Sequence, residues 1–219
     1  MTKRMDPQAV LDFWFPPGLE TAGIQAHARM FGWWFGGGAN AALPPFEPLV
    51  KDALTGRLDG WAGTAWGRLS LIIVLDQFTR GLAGPVPAAY AGDARALELA
   101  EEGLRNGDFD VLAHPWERTF LLMPLVHAEG ADHVARMERM LALCAIIRQD
   151  APAHLRPLYE GSDERVREYL DVIRRYGHFP HRNAILGRDS TPAERDYLAR
   201  GDFPHLRPPP AVAALLQVA

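Results

Sequence analysis

The chain has 219 residues, 48% of them apolar, so it is long enough to bury a core and too hydrophobic for global disorder. Its 23 basic and 27 acidic residues leave a net charge of −4, without the basic excess of a nucleic-acid binder. No run approaches the roughly 18–20 apolar residues that cross a bilayer, so no membrane partner is expected.

Only Lys3 and Lys51 are lysines, and this arginine-rich usage lowers the weight of any single arginine. Cys144 is the sole cysteine, which excludes an intramolecular disulfide. It sits in the apolar run Leu141–Ile147, where a small buried hydrophobe is the default. Asp6, Pro7 and Asp12 interrupt what would be a signal-peptide core, so a cytoplasmic protein is expected.

Helical periods dominate. Asp6-Pro7 predicts a first helix, with an N-cap acceptor before a proline at the first helical position. Val10, Leu11 and Trp14 form its apolar stripe, and Pro16-Pro17-Gly18 ends it. A helix follows around Ile24–Trp34, then Gly36-Gly37-Gly38 and Pro44-Pro45, then a short helix at Glu47–Leu54. Thr64 can cap a helix from Ala65 to Thr79 that is apolar nearly all round and therefore buried. Further helices are predicted at Ala88–Arg105, Pro115–His127, Asp132–Arg148 and Asp163–Tyr176. Thr191-Pro-Ala-Glu194 reads as a capping box opening the last one. The six tryptophans are expected to pack between helices. Together these elements predict an all-α fold of stacked antiparallel helical hairpins. One domain would cover residues 1–219, with a C-terminal extended arm from about 201 to 219.

Three segments can carry chemistry. Asp76 and Arg80 stand four apart on the buried helix and share a face. An exposed pair of that kind is worth about 0.3–0.5 kcal/mol. In the apolar setting of Asp76, losing its partner would cost about 3–5 kcal/mol, so a cation must reach it. The second segment runs from Arg118 to Glu129 and contains Pro124, His127 and Glu129. Pro124 should kink its helix. On an unbroken helix His127 and Glu129 would point about 200° apart, a poor metal chelate.

The third segment, Tyr176–Glu194, is interrupted by Gly177, Pro180 and Gly187 yet holds Phe179, Ile185 and Leu186. Among these apolar anchors sit His178, His181, Arg182, Asn183 and Arg188. Arg174, Arg175, Arg182 and Arg188 suggest an anion site; the competing reading is that they tie the loop to Asp76, Asp93 or Glu129. The His178/His181 spacing is weak support for a metal, and no metal site is expected. No cofactor is expected either, since Walker, Gly-x-Gly-x-x-Gly, nucleophile-elbow and His-Glu-x-x-His patterns are absent.

Leu75-Asp-Gln-Phe-Thr-Arg80, Met123-Pro-Leu-Val-His-Ala-Glu129 and Phe179-Pro-His-Arg-Asn-Ala-Ile-Leu-Gly-Arg-Asp-Ser-Thr-Pro-Ala-Glu194 resemble the bacterial domain-of-unknown-function family 924, as does Val10-Leu-Asp-Phe-Trp-Phe15. The match runs from about residue 7 to 200. The resemblance implies an all-helical, tetratricopeptide-like fold and no established reaction. Its motifs mark Asp76, Gln77, Arg80, His127, Glu129, His181, Arg182, Asn183, Gly187 and Arg188. The chain departs from them at Thr79 and Gly81 (family proline and asparagine), Ala128 (serine) and His178 (arginine).

The functional expectation is one polar pocket for a small anionic metabolite. Asp76, Gln77, Arg80, Arg118, Arg182, Asn183 and Arg188 are its candidate ligand-binding residues. His127, Glu129 and His181 are the candidates for proton transfer. The alternative is a tetratricopeptide-like module that binds a peptide or protein, its polar motifs serving as internal clamps.

Overall fold

The computed structural model describes residues 5–207 and 210–217, and all regular structure among them is helical. Helix α1 (Pro7–Trp14) begins at Asp6, whose carboxylate accepts from Ala9 N at 2.9 Å. Its stripe of Val10, Leu11 and Trp14 is buried. Helices α2 (Ile24–Phe35) and α3 (Glu47–Leu54) follow, linked by short 3-10 turns.

The buried helix starts where the sequence places it. Thr64 Oγ1 accepts from Gly67 N at 3.1 Å, and α4 spans Ala65–Ile72. It then widens into a π-helical segment, Ile73–Phe78, before α5 (Thr79–Ala83). Every residue from Leu69 through Asp76 is at most 1% exposed, as a helix apolar on all sides requires. The wide turn is held by Thr79, whose backbone N–H and Oγ1 both donate to Val74 O. Hydrophobic periodicity does not show such a widening, because the rotation that one extra residue causes cannot be read in a segment apolar on every side.

Gly92 lies against this segment so closely that a Cβ there would sit 2.2 Å from Leu75 O. The approach splits the predicted Ala88–Arg105 helix into a 3-10 turn (Pro87–Tyr90) and α6 (Asp93–Asn106). A short α7 (Asp108–Val111) leads to α8 (Pro115–His127), which runs helically through Pro124. Then come α9 (His133–Asp150), α10 (Arg156–Glu160) and α11 (Ser162–Tyr176). Helix α12 (Pro192–Arg200) carries the expected capping box between Thr191 and Glu194.

The C-terminal expectation falls partly on residues 208–209 and 218–219, which lie outside the described residues. Within them the tail is not an extended arm: Pro210–Gln217 forms α13, packed on α2, with Val212 fully buried. Ala-Val-Ala-Ala-Leu-Leu is rich in helix formers, and docking one apolar face stabilises a segment too short to be helical alone.

Helix α4 packs on α1, α6 and α8, while α8 packs on α9 and α9 on α11. The hairpin α8–α9 turns within five residues, so its helices are antiparallel neighbours, an arrangement compatible with tetratricopeptide-like stacking. Most buried apolar residues from Val10 to Val212 form one contiguous cluster, and Val172, Ile173 and Phe179 form a second, smaller one. Trp14, Trp34 and Trp116 belong to it, and Trp66 is the exception at 43% exposed. No helix among the described residues is long and apolar enough to cross a membrane.

Candidate functional site

The π-helical segment delivers Asp76 into the interior, where it is fully buried and accepts from three side chains. His127 Nδ1 lies 2.8 Å from both of its oxygens, Gln77 Nε2 donates at 2.5 Å, and Arg80 Nη2 at 3.3 Å. Burial pushes the Asp76 carboxyl up, but His127, Arg80 and these hydrogen bonds outweigh it and hold it well below the usual carboxylate range. A carboxylate only accepts, so the neutral His127 ring carries its proton on Nδ1 and keeps a lone pair on Nε2.

Arg80 also meets Asp93, the first residue of α6, at 2.5 Å. Burial and the like charge of Asp76 outweigh the pull of Arg80 and raise the Asp93 carboxyl. Gly92 places Asp93 here, because its lack of a side chain lets α6 begin against the π-helical turn.

His127 is the last residue of α8, and each carbonyl at that end is taken by a side chain. Arg136 donates to Leu125 O at 3.0 Å and to Ala128 O at 2.8 Å. His133 Nε2 reaches Val126 O and Arg182 Nη1 reaches His127 O, both at 2.9 Å. Helix C-terminal carbonyls lack internal partners, and cations there also offset the helix dipole. These contacts hold the backbone that carries His127.

The chain leaves the helix after His127, and Glu129 turns the other way. Its Oε1 accepts from Phe179 N at 2.8 Å, and its Oε2 meets Arg188 Nη1 at 2.6 Å. Burial raises the Glu129 carboxyl, but Arg188 and the Phe179 amide bring it below its ordinary value. Arg182, 5% exposed, lies 4.6 Å from the ring centres of both Tyr90 and Phe179. It also stands 3.7 Å from Asp93 and 3.9 Å from Glu129. Asn183 Nδ2 donates to Ser190 Oγ. So Glu129, Arg182, Asn183 and Arg188 engage one another and the loop backbone, as the tying reading anticipates.

A cavity of about 500 Å³ opens beside this cluster. Gln77, Arg80 and His127 line it, and Asn40, Ser162, Arg165, His205 and Arg207 also contribute polar groups to its wall. Most of the remaining wall is apolar: Trp14, Phe31 and Trp34 from the N-terminal helices, Met140, Cys144 and Ile147 from α9. Cys144 is buried, as the sequence suggests, and burial pushes its thiol up to about 12, far from thiolate reactivity.

Other candidates stand apart from the cavity wall. Arg118 is engaged with Leu112 O and, at 2.6 Å, with Asp150. His181 packs between Phe179 and the cavity residue His205, at 5.4 and 4.2 Å between ring centres. Burial, then His205 and Arg182, lower its imidazole to about 3, so it is neutral. His178 lies 2.8 Å from Glu194 Oε1. The described residues contain no group of three or more His, Cys, Asp or Glu placed to hold a metal. A second, open depression of about 420 Å³ between Arg148, Gln149, Arg156 and Glu160 contains none of the motif residues.

Sequence reasoning missed His205 and Arg207, because it placed them in an extended tail. It also missed Asn40 and Arg165, which lie in segments without a motif. For Asp93 the one local signal is its place after Gly92.

Residues 10–202 match the family described as bacterial protein of unknown function (DUF924). The chain belongs to this family. A solved structure, that of a protein of unknown function from Agrobacterium tumefaciens, is 29% identical. It is similar over 89% of this chain and 97% of that one, with a TM-score of 0.62. No curated protein is significantly similar. The DUF924 motifs converge here through two functions of geometry. The first two supply the Asp76–His127 pair, and the third holds the end of the helix that carries it.

Proposed function

We propose that the cavity binds a small anionic metabolite in the cytoplasm, with Arg80 and Gln77 as its anchors and His127 as a proton-transfer group. The observation that carries this reading is His127 itself. Its Nδ1 is committed to a fully buried carboxylate while the ring lines a cavity of about 500 Å³. That volume is in the range of small-molecule sites. A histidine oriented by a buried aspartate presents its second nitrogen as a base. Among the described residues Arg80 Nη1 has no hydrogen-bond or ion-pair partner, so part of the guanidinium fork is available to an anion.

In this reading Asp76 orients His127, while Glu129, Arg182, Asn183 and Arg188 are positioning residues that hold the helix end and the loop. His181 backs His205 from outside the cavity, and Arg118 serves the α8–α9 packing.

Calorimetric titration with acetate and inorganic phosphate tests the reading, using wild type and Arg80→Gln. Binding by wild type that Arg80→Gln weakens at least tenfold is expected. Equal affinity in the two proteins would remove Arg80 as the anchor. Ligand-induced shifts of the His127 ring nitrogens in wild-type NMR spectra give a readout independent of the variant's folding.

A further inference from the structure

We infer that the occupant of this cavity is a single-chain amphiphile, a carboxylate carrying an aliphatic tail of several methylenes. The inference rests on the anionic-ligand reading above and adds the tail and the kind of head.

The cavity is asymmetric in chemistry. Its charged and imidazole groups gather at one end: His127 closes α8, Gln77 and Arg80 flank it, and His205 lies close enough to feel Arg165, Arg182 and His127. From there two apolar stripes lead away. Along α8 they are Val126, Met123 and the methyl-bearing Thr119; along α9 they are Met140, Cys144 and Ile147. Both sets repeat at three- and four-residue spacing, so each lines one helix face. Helices α8 and α9 are antiparallel about the turn that follows His127, so both stripes recede from the polar end. Seven residues from Met140 to Ile147 extend the wall by about 10 Å. Phe31 and Trp34 on α2, with Leu158 and Tyr159 on α10, close the far end. A small polar metabolite would leave that stretch unfilled.

The charge count limits the head. Arg80, Arg182 and Arg188 face Asp76, Asp93 and Glu129, and the two sets cancel. Arg165 and Arg207 face Glu168 and Asp202 and cancel likewise. Among these arginines and acids no net positive charge remains to balance a dianion. The planar fork of Arg80 and the Gln77 amide suit one carboxylate.

The test is a chain-length series on wild type: acetate, hexanoate, octanoate and decanoate below their micellar range, with octyl phosphate and 1-octanol as head-group arms. The expected result is a Kd that tightens about fourfold per added methylene until the far wall is reached. Octyl phosphate should bind no more tightly than octanoate, and octanol at least tenfold more weakly. Arg80→Gln should weaken the whole series by a constant factor of about ten without changing its slope. Cys144→Phe, which fills the middle of the apolar wall, should stop the gain at a shorter chain.

A flat series with acetate bound through Arg80 would overturn the tail and leave the anion reading standing. Failure of every carboxylate to bind at millimolar concentration would overturn both. Octanol binding as tightly as octanoate, or Arg80→Gln leaving every Kd unchanged, would overturn the carboxylate head, and octyl phosphate binding more tightly than octanoate would replace it with a phosphate. The wild-type series decides the tail even if neither variant folds.

Discussion

Arg182 donates from Nη1 to the carbonyl of His127 at 2.9 Å, across 55 residues of sequence. The loop arginine therefore touches the backbone of the cavity histidine rather than the cavity. Its guanidinium carbon sits 4.6 Å from the centres of both Tyr90 and Phe179, so stacking and hydrogen bonding act on one planar group. Arg182→Ala should cost about 2–3 kcal/mol in urea unfolding, the scale of a lost charge-assisted bond plus packing. Arg182→Lys should recover less than half of it, because an ammonium cannot stack in the same way. Full recovery by lysine would show that only the charge matters.

The Asp76–His127 contact makes a prediction about the proton rather than about stability. Because the carboxylate accepts, neutral His127 should be the Nδ1–H tautomer, read from its ring nitrogen shifts in NMR spectra. Asp76→Asn should abolish that uniform preference. It should also lower stability by about 3–5 kcal/mol, since Arg80 and His127 lose a buried anion. An Nε2–H ring in wild type would contradict the geometry.

Gly92 offers a backbone test. A methyl group there would meet Leu75 O at 2.2 Å, and a carbonyl in a packed helix cannot yield. Gly92→Ala should destabilise by about 1–3 kcal/mol, since the added methyl overpacks the site and alanine is the poorer N-cap. A thermal melt that rises instead would mean that α6 can withdraw from the π-helical turn.

Buried histidines set the acid limb of stability. His133 donates Nε2 to Val126 O and leaves a buried Nδ1 without a partner. Burial, then Arg136, depresses its imidazole to about 4 against an ordinary 6.5, and His181 falls to about 3. The unfolded chain binds these protons more readily, so stability is full above about pH 6.5 and declines as the pH falls toward 4. His133 alone should remove about 2 kcal/mol by pH 5. Asp76 acts lower, since its stabilisation is present above its ordinary 3.8 and fades below it. Urea midpoints measured from pH 7.5 to 3 should therefore fall in two stages, and His133→Gln should flatten the first. A midpoint constant down to pH 5 would contradict the buried neutral histidines.

Helix positions were legible wherever the signal is local. Asp6-Pro7, Thr64 and the Thr191–Glu194 box each cap a helix within three residues, and all three do so in the structure. The helix in the tail is not legible because prolines 208–210 outweigh the helix-forming residues behind them, whose docking on α2 depends on a surface some 180 residues away in the chain. The π-helical turn was invisible for a different reason: its cause is the packing of Gly92 and the Thr79 hydroxyl, not the periodicity of the segment itself.

By itself, then, the sequence determined an all-helical chain, the beginnings of most helices and three polar motifs that had to find partners. These follow from capping, period and the cost of burying a lone charge. The tertiary structure alone decided which charges meet. Many arginines and acids could satisfy one another, and only the packing of α4, α6, α8 and the 177–191 loop selects Asp76 for His127, and Glu129 for Arg188. These pairs are 51 and 59 residues apart, and no local rule reaches that far. The same packing separates the residues that face a cavity from those that hold them there.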